Sequence, residues 1–274
     1  MKPPIEQRFP RPSVMGVVNV TPDSFSDGGV NFDPDDAVAT ARLMVEEGAA
    51  IVDVGGESTR PGSGGVSAEE ELRRVVPVLE RLDGLPLSID TSKAEVARRA
   101  LALGAELVND VTALRGDPRM AEVVAESGAY LCLMHMQGEP RTMQADPRYD
   151  DVVDDIKAFL SDRVAFAIRE GIAEDRIAVD PGIGFGKTIE HNLELLRRLD
   201  EIAALGFEVV IGTSRKSFLG KLTGRDDPHD RVAATVATTV LALERGATVF
   251  RVHDVAPTAD ALKVAAATLR RDGP

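Results

Sequence analysis

Short apolar runs recur along the chain, and each is followed by residues able to do chemistry. In order these are Asn19, then Glu57-Ser58-Thr59-Arg60, Asp90, Asn109-Asp110, His135, Asp180, Ser214-Arg215-Lys216, and finally Arg251, His253 and Asp254. Two chemistries separate within the set. Arg60, Lys216, Arg251 and His253 can supply the positive charge and donors that an anion such as phosphate or diphosphate needs. Asp90, Asn109, Asp180 and Lys216 offer two carboxylates, an amide and an ammonium. That combination suits a flat heterocycle with several donors and acceptors, because a wrong ring would leave buried polar groups unpaired. Magnesium is compatible with both, since it takes hard oxygen ligands and commonly binds through one or two protein groups plus phosphate oxygens. Asn19 and Asp27 are the candidate ligands. A polar residue at a strand end often does no more than cap the next helix, so a single member such as Asp110 or Asp254 is open to a purely structural reading. The complete series is much harder to explain that way.

The elements that must position these residues are legible in the spacing. The apolar runs lie at 14–20, 50–54, 85–89, 107–111, 130–136, 177–179, 207–211 and 247–252, and most are continuously apolar, as parallel strands covered on both faces are. Between them the pattern turns helical. Ser67-Ala68-Glu69-Glu70 resembles a capping box ahead of Leu72, Val75, Val76, Leu79 and Leu82, with Pro77 expected to kink that helix or split off its last turn. Asp33-Pro34 reads as an N-cap followed by proline at the first helical position. Leu193, Leu196, Leu199 and Ile202 repeat at threes up to Gly206, a helix stop. Further helices are expected near 93–103, 117–127, 150–170, 231–245 and 257–270. Strand–helix units repeating over roughly 250 residues predict a single (β/α)8 TIM barrel, with the active site at the C-terminal ends of the strands. The chain then forms one domain over 1–274, with 1–12 as an N-terminal extension. A doubly wound open sheet would also alternate, but no GxGxxG follows the first strand.

Three loops stand out. Residues 21–29 and 57–65 are rich in Gly, Ser and Pro, and Phe25 and Arg60 at their polar tips suggest lids that close over a substrate. Asp180-Pro-Gly-Ile-Gly-Phe-Gly186 reads either as a phosphate-cradling glycine loop or as a tight strand exit. His191 and His229 lie away from strand ends and read as ordinary surface residues.

Composition narrows the function classes. The 274 residues carry 32 basic and 45 acidic side chains, a formal net charge of −13, which argues against nucleic acid as a partner. An anionic substrate would therefore need a local basic pocket set against an unfavourable overall field. No apolar run approaches the roughly 18 residues of a membrane span, and the polar, proline-rich start does not resemble a signal peptide. The single cysteine, Cys132, excludes an intrachain disulfide framework and cannot build a zinc site alone. A reducing cytoplasm is the expected compartment.

Five motifs together resemble the dihydropteroate synthase family. They are the segment from Met15 through Asn19-Val20-Thr21-Pro22-Asp23 to Gly29, then Gly55-Gly-Glu-Ser-Thr-Arg-Pro-Gly62, Asp180-Pro-Gly-Ile-Gly-Phe-Gly-Lys187, Gly212-Thr-Ser-Arg-Lys-Ser217 and Arg251-Val-His253. They occur in the family's order across nearly the whole chain, and only the glycine-heavy 62–65 stretch departs from the pattern. The resemblance, to a family that sulfonamides block, implies a transferase of folate biosynthesis, joining 6-hydroxymethyl-7,8-dihydropterin diphosphate to p-aminobenzoate and releasing diphosphate. It implies that Asp90, Asn109, Asp180 and Lys216 hydrogen-bond the pterin, with Arg251 stacked on one face and Met134 near the other. Asn19, Thr59, Arg60, Arg251 and His253 would surround the diphosphate, with magnesium on Asn19. Phe25, Pro61, Phe185, Ser214 and Ser217 would line the p-aminobenzoate pocket. A homodimer through helices near the end of the chain is also implied, and the small residues of 231–243 would allow close helix approach.

Three other readings compete. A pterin-binding methyltransferase domain shares the barrel but has no use for a diphosphate cluster. An aldolase could form a Schiff base on Lys216. A non-catalytic pterin-binding regulator would not need both lid motifs.

Overall fold

The structure, a computed structural model, describes residues 2–21, 34–59, 62–139 and 141–269. Its strands are β1 (Ser13–Asn19), β2 (Ile51–Gly55), β3 (Leu87–Asp90), β4 (Leu107–Asp110), β5 (Tyr130–Met134), β6 (Ile177–Asp180), β7 (Glu208–Ile211) and β8 (Val249–Val252). Each is parallel to its neighbours, and β8 returns to pair with β1, Val14 opposite Phe250 and Gly16 opposite Val252. The sheet is thus a closed (β/α)8 barrel, as the alternation predicts, and that last ladder excludes the open doubly wound sheet.

Helices α1 (Ile5–Arg8), α2 (Pro34–Glu46), α3 (Ala68–Leu79), α4 (Ala94–Ala102), α5 (Met120–Ser127) and α6 (Val152–Arg169) lie in the first two-thirds of the chain. They are followed by α7 (Ile189–Arg197), α8 (Leu199–Ala203), α9 (Ser217–Thr223), α10 (Val232–Glu244) and α11 (Val255–Leu269). Local chemistry explains most of the ends. The Ser67 side chain accepts from the Glu70 amide at 3.2 Å and starts α3, but the Glu70 carboxylate turns to Arg73 and Arg74, so the expected reciprocal box is not closed. Pro77 falls in the last turn of α3, which ends two residues later; the amide donor it lacks is the one the carbonyl of exposed Arg73 would have accepted. The leucine repeat from 193 to 202 is divided between α7 and α8, which meet at Arg198.

The strands are apolar on both faces because two cores flank the sheet. Successive strand residues point to opposite sides, so Val14 and Leu131 pack outward against the helices while Met15 and Cys132 fill the lumen. Residues 2–9 are more than an extension: Ile5 and Phe9 join the lumen cluster and close the end of the barrel where the strands begin. Phe9 meets Tyr130 edge-on at 5.7 Å, the Tyr130 hydroxyl donates to the Pro3 carbonyl at 2.7 Å, and Arg8 pairs with Glu106.

Candidate active site

Above the apolar lumen the barrel fills with charge. Asp53, the central residue of β2, is fully buried. Its Oδ2 accepts from Arg251 Nε at 2.7 Å and from Asn109 Nδ2 at 2.9 Å, and Arg251 Nη2 donates to Asp90 Oδ2 at 2.6 Å. One guanidinium thus bridges two carboxylates on β2 and β3, the arrangement a low-dielectric interior demands of buried charge. Asp53 Oδ1 remains buried with no hydrogen-bond partner among the described residues. The sequence reading missed Asp53. Its signal was a lone carboxylate within Ile51-Val52-Asp53-Val54, a burial site where an acid stands only if it is paired.

These environments shift the proton affinities. Burial, opposed by the Arg251 charge and reinforced by Asp53, raises the Asp90 pKa to about 7. Burial likewise raises that of Asp180, opposed by Lys216 and by the Gly182 amide, which donates to Asp180 Oδ1 at 2.6 Å. Burial lowers Lys216 to about 8, against the attraction of Asp180. Arg251 is desolvated too, but Asp53 and Asp90 outweigh that and hold it firmly protonated.

The segment after β6 reads as a strand exit and not a phosphate cradle, because three of its amides are already used. The Gly182 amide bonds to Asp180, that of Gly184 to Asn192 Oδ1 at 2.7 Å, and that of Phe185 to the Gly182 carbonyl at 3.0 Å. Its glycines are required by geometry. Gly182 has φ of 69°, and a Cβ there would lie 1.9 Å from the His135 carbonyl oxygen. The turn carries Lys216 Nζ onto the Ile183 carbonyl and 4.4 Å from the Phe185 ring centre.

Thr59, Asp90, Asn109, Met134, Asp180, Phe185, Ser214, Lys216, Arg251 and His253 line one opening at the C-terminal ends of the strands. His253 Nδ1 lies 2.9 Å from Ser214 Oγ. Asn19 ends β1 at the same end of the barrel but does not border this space, and Ser217 is exposed at the first position of α9. Phe25, Asp27, Arg60 and Pro61 lie outside the described residues.

A family model described as pterin binding enzyme matches residues 15–253. The chain is 47% identical to the dihydropteroate synthase of Escherichia coli strain K12, over 94% of this chain and 92% of that one. The chain belongs to the dihydropteroate synthase family. Among solved structures, the Xanthomonas albilineans dihydropteroate synthase with 4-aminobenzoic acid is 50% identical with a TM-score of 0.90, covering 96% of this chain and 95% of that chain. The same enzyme in complex with 7,8-dihydropteroate is 48% identical with a TM-score of 0.87, at the same coverage.

Not every strand-end polar residue of this dihydropteroate synthase family member faces the opening. Asp110 follows inward-facing Asn109 and so points outward, where it accepts from the Thr112 and Leu114 amides at 2.8 Å each. His135 likewise follows Met134 and packs behind β5, its ring 4.8 Å from that of Phe159. Arg215 and Asp254 form a bidentate pair at 2.9 and 2.6 Å. The expectation that every strand contributes its terminal ionic residue is therefore corrected: β5 supplies Met134, and the side chains of Asp110, His135, Arg215 and Asp254 serve packing and turns. His191 is also more than a surface residue. It closes the capping box of α7 with Thr188 and stacks edge-on against Tyr149 at 5.0 Å.

Proposed function

We propose that the chain joins 6-hydroxymethyl-7,8-dihydropterin diphosphate to p-aminobenzoate, giving 7,8-dihydropteroate and diphosphate. The observation that carries this reading is the ring of carboxylates, amide and ammonium at the barrel mouth, in a chain whose relatives at this identity are dihydropteroate synthases. Asp180, Asn109, Asp90 and Lys216 bind the pterin edge, Met134 packs against the ring, and Asp53 Oδ1 is a further acceptor in the same layer. Asp53 and Asp90 hold Arg251 deep in the mouth, where its guanidinium can meet the ring and the diphosphate.

Charge balance governs the rest. Asp53, Asp90 and Asp180 offset Arg251 and Lys216, so the cations that receive a diphosphate must come from beyond this cluster. Arg60 on the 57–65 loop fills that role, with the His253 ring N–H and the Thr59 hydroxyl as further donors. Magnesium fits the donor set: the Asn19 side-chain oxygen, with Asp27 on the following loop, supplies hard ligands and leaves positions for diphosphate oxygens and water. Bound there, it would neutralise charge on the leaving group. Phe185 and Ser214, with Phe25, Pro61 and Ser217, form the p-aminobenzoate pocket.

The reaction is a dissociative, SN1-like substitution. The bond from the pterin methylene carbon to the diphosphate oxygen breaks, and its electron pair leaves with diphosphate. Asp90 and Asp180 stabilise the positive charge that spreads into the ring. The neutral arylamine nitrogen then donates its lone pair to the methylene carbon and loses a proton to solvent or diphosphate, so no strong general base is required. Without p-aminobenzoate, bridge-to-nonbridge oxygen scrambling in labelled pterin diphosphate is expected, and its absence argues against reversible early ionisation.

Mass-spectrometric detection of 7,8-dihydropteroate from the two substrates and magnesium, matched by an equal amount of diphosphate, tests the reading directly. A purified chain that makes neither contradicts it. The partners are small molecules and a second copy of the chain; Leu241 on α10 and Val264 and Leu269 on α11 are exposed apolar side chains on helices packed together, and light scattering should register a dimer. No helix among the described residues is long and apolar enough to cross a membrane. The proposed cytoplasmic location accords with a single buried thiol, Cys132.

A further inference from the structure

Lys187 is a lysine that the proposed chemistry does not use, yet it is almost completely buried. Among the described residues no carboxylate lies within ion-pair distance of it. Its Nζ lies 3.0 Å from His135 Nδ1 and donates to the Phe185 carbonyl at 3.0 Å. Tyr149 stands beside it, with its ring centre 6.0 Å from the ammonium. A methionine would fill this space without the cost of desolvating an amine head, so the donor answers a local need. That need is the loop after β6, whose carbonyls from Ile183 to Gly186 are each captured by a different side chain. Lys216 takes Ile183, Gln144 takes Gly184 at 2.5 Å, Lys187 takes Phe185, and Tyr149 takes Gly186 at 2.7 Å. Desolvation lowers the Lys187 pKa well below its ordinary value, and His135, buried beside it, is pushed down to about 2 and therefore stays a neutral acceptor.

We propose that Lys187, oriented by His135, is a positioning residue that fixes the Phe185 ring beside Lys216 and thereby sets the affinity for the amine acceptor. The inference rests on the reading of Phe185 as a wall of the p-aminobenzoate pocket. Most of the pterin grip is built differently: Asp53, Asp90, Asn109 and Arg251 stand on strands and bond to one another, and Asp180 and Lys216 meet the loop at Gly182 and Ile183, not at the Phe185 carbonyl. Loss of the Lys187 donor leaves that half-buried carbonyl without its side-chain partner, and the ring is free to turn.

Steady-state kinetics and calorimetry on Lys187→Met separate these effects. The KM for p-aminobenzoate should rise about tenfold, in line with a small misplacement of a positioning group, while kcat and the Kd for pterin diphosphate stay within about twofold of wild type. His135→Asn keeps an acceptor near the Nδ1 position and should hold the wild-type KM, whereas His135→Leu should raise it. An unchanged KM in Lys187→Met, or a fall in kcat alone, overturns the proposal. If Lys187→Met does not fold, the two His135 variants decide: equal KM values overturn it, and a raised KM only in His135→Leu supports it. A wild-type chain that binds pterin diphosphate but makes no dihydropteroate brings down the parent reading as well, and this control separates the two failures.

Discussion

The two ends of the barrel are built from opposite materials. Where the strands begin, Ile5, Phe9 and Tyr130 seal the lumen with apolar surface, and most polar groups there are paired off, as Arg8 is with Glu106, with buried Arg176 Nε an exception. Where the strands end, Asp53, Asp90 and Asp180 are buried and Arg251 and Lys216 half-buried, with their pKa values shifted or their bonds incomplete. The first end contributes stability and offers a ligand nothing. The second sacrifices stability to hold polar groups ready for one, the division expected of a (β/α)8 enzyme. The same contrast exists across a single strand: Asn109 and Met134 face the opening, while their neighbours Asp110 and His135 face the helices and serve the scaffold.

Substitutions at the two ends should therefore fail in different assays. The largest effect is expected from Lys216→Ala, which removes a donor to the heterocycle: kcat/KM should fall by at least about a hundredfold with the melting temperature nearly unchanged. Arg251→Met leaves Asp53 and Asp90 without their cation and should cost about 3–5 kcal/mol in denaturant unfolding as well as substrate binding. That loss should shrink as pH falls toward about 7, because without Arg251 Asp90 takes up its proton at a higher pH than in the wild type. Phe9→Ala at the opposite end should cost about 3 kcal/mol of stability through the cavity it leaves, with both KM values preserved. A change in KM there would break the comparison.

The pH profile sharpens the same point. Hydrogen bonding to the pterin needs Asp90 as carboxylate and Lys216 as ammonium. The profile of kcat/KM for pterin diphosphate should accordingly be bell-shaped, falling below about 7 and above about 8. In Lys216→Arg the alkaline limb should disappear, since a guanidinium keeps its proton throughout that range. The smallest effect belongs to the scaffold: Arg215→Ala should cost about 1 kcal/mol, because its partly exposed pair with Asp254 lies outside the opening, and turnover should be retained.

The alternation of apolar runs and amphipathic segments carried the fold, because continuous apolarity over four to seven residues fits only a strand covered on both sides. It also located most of the opening, since residues at strand ends must meet at one mouth once the sheet closes. It could not say which of two adjacent polar residues faces inward. Asn109 and Asp110 are indistinguishable in the sequence, and a one-residue shift in phase exchanges their roles. Asp53 was passed over because it lies within an apolar run and not after one. The plug formed by Ile5 and Phe9 went unread because its partners, Tyr130 above all, are distant in sequence. The division of labour in the loop after β6 was equally hidden, as glycine spacing does not reveal whether amides or carbonyls are already occupied.

The central claim is that the charged end of the barrel recognises a pterin. Calorimetric titration of pterin diphosphate, with magnesium, into the wild-type chain and into Asp180→Asn tests it most directly. An amide cannot accept two donated hydrogen bonds with both of its atoms, so the variant should bind about a hundredfold more weakly, a loss of about 3 kcal/mol, while melting at the same temperature. Equal affinity in the two proteins, or no binding by either, would contradict the account.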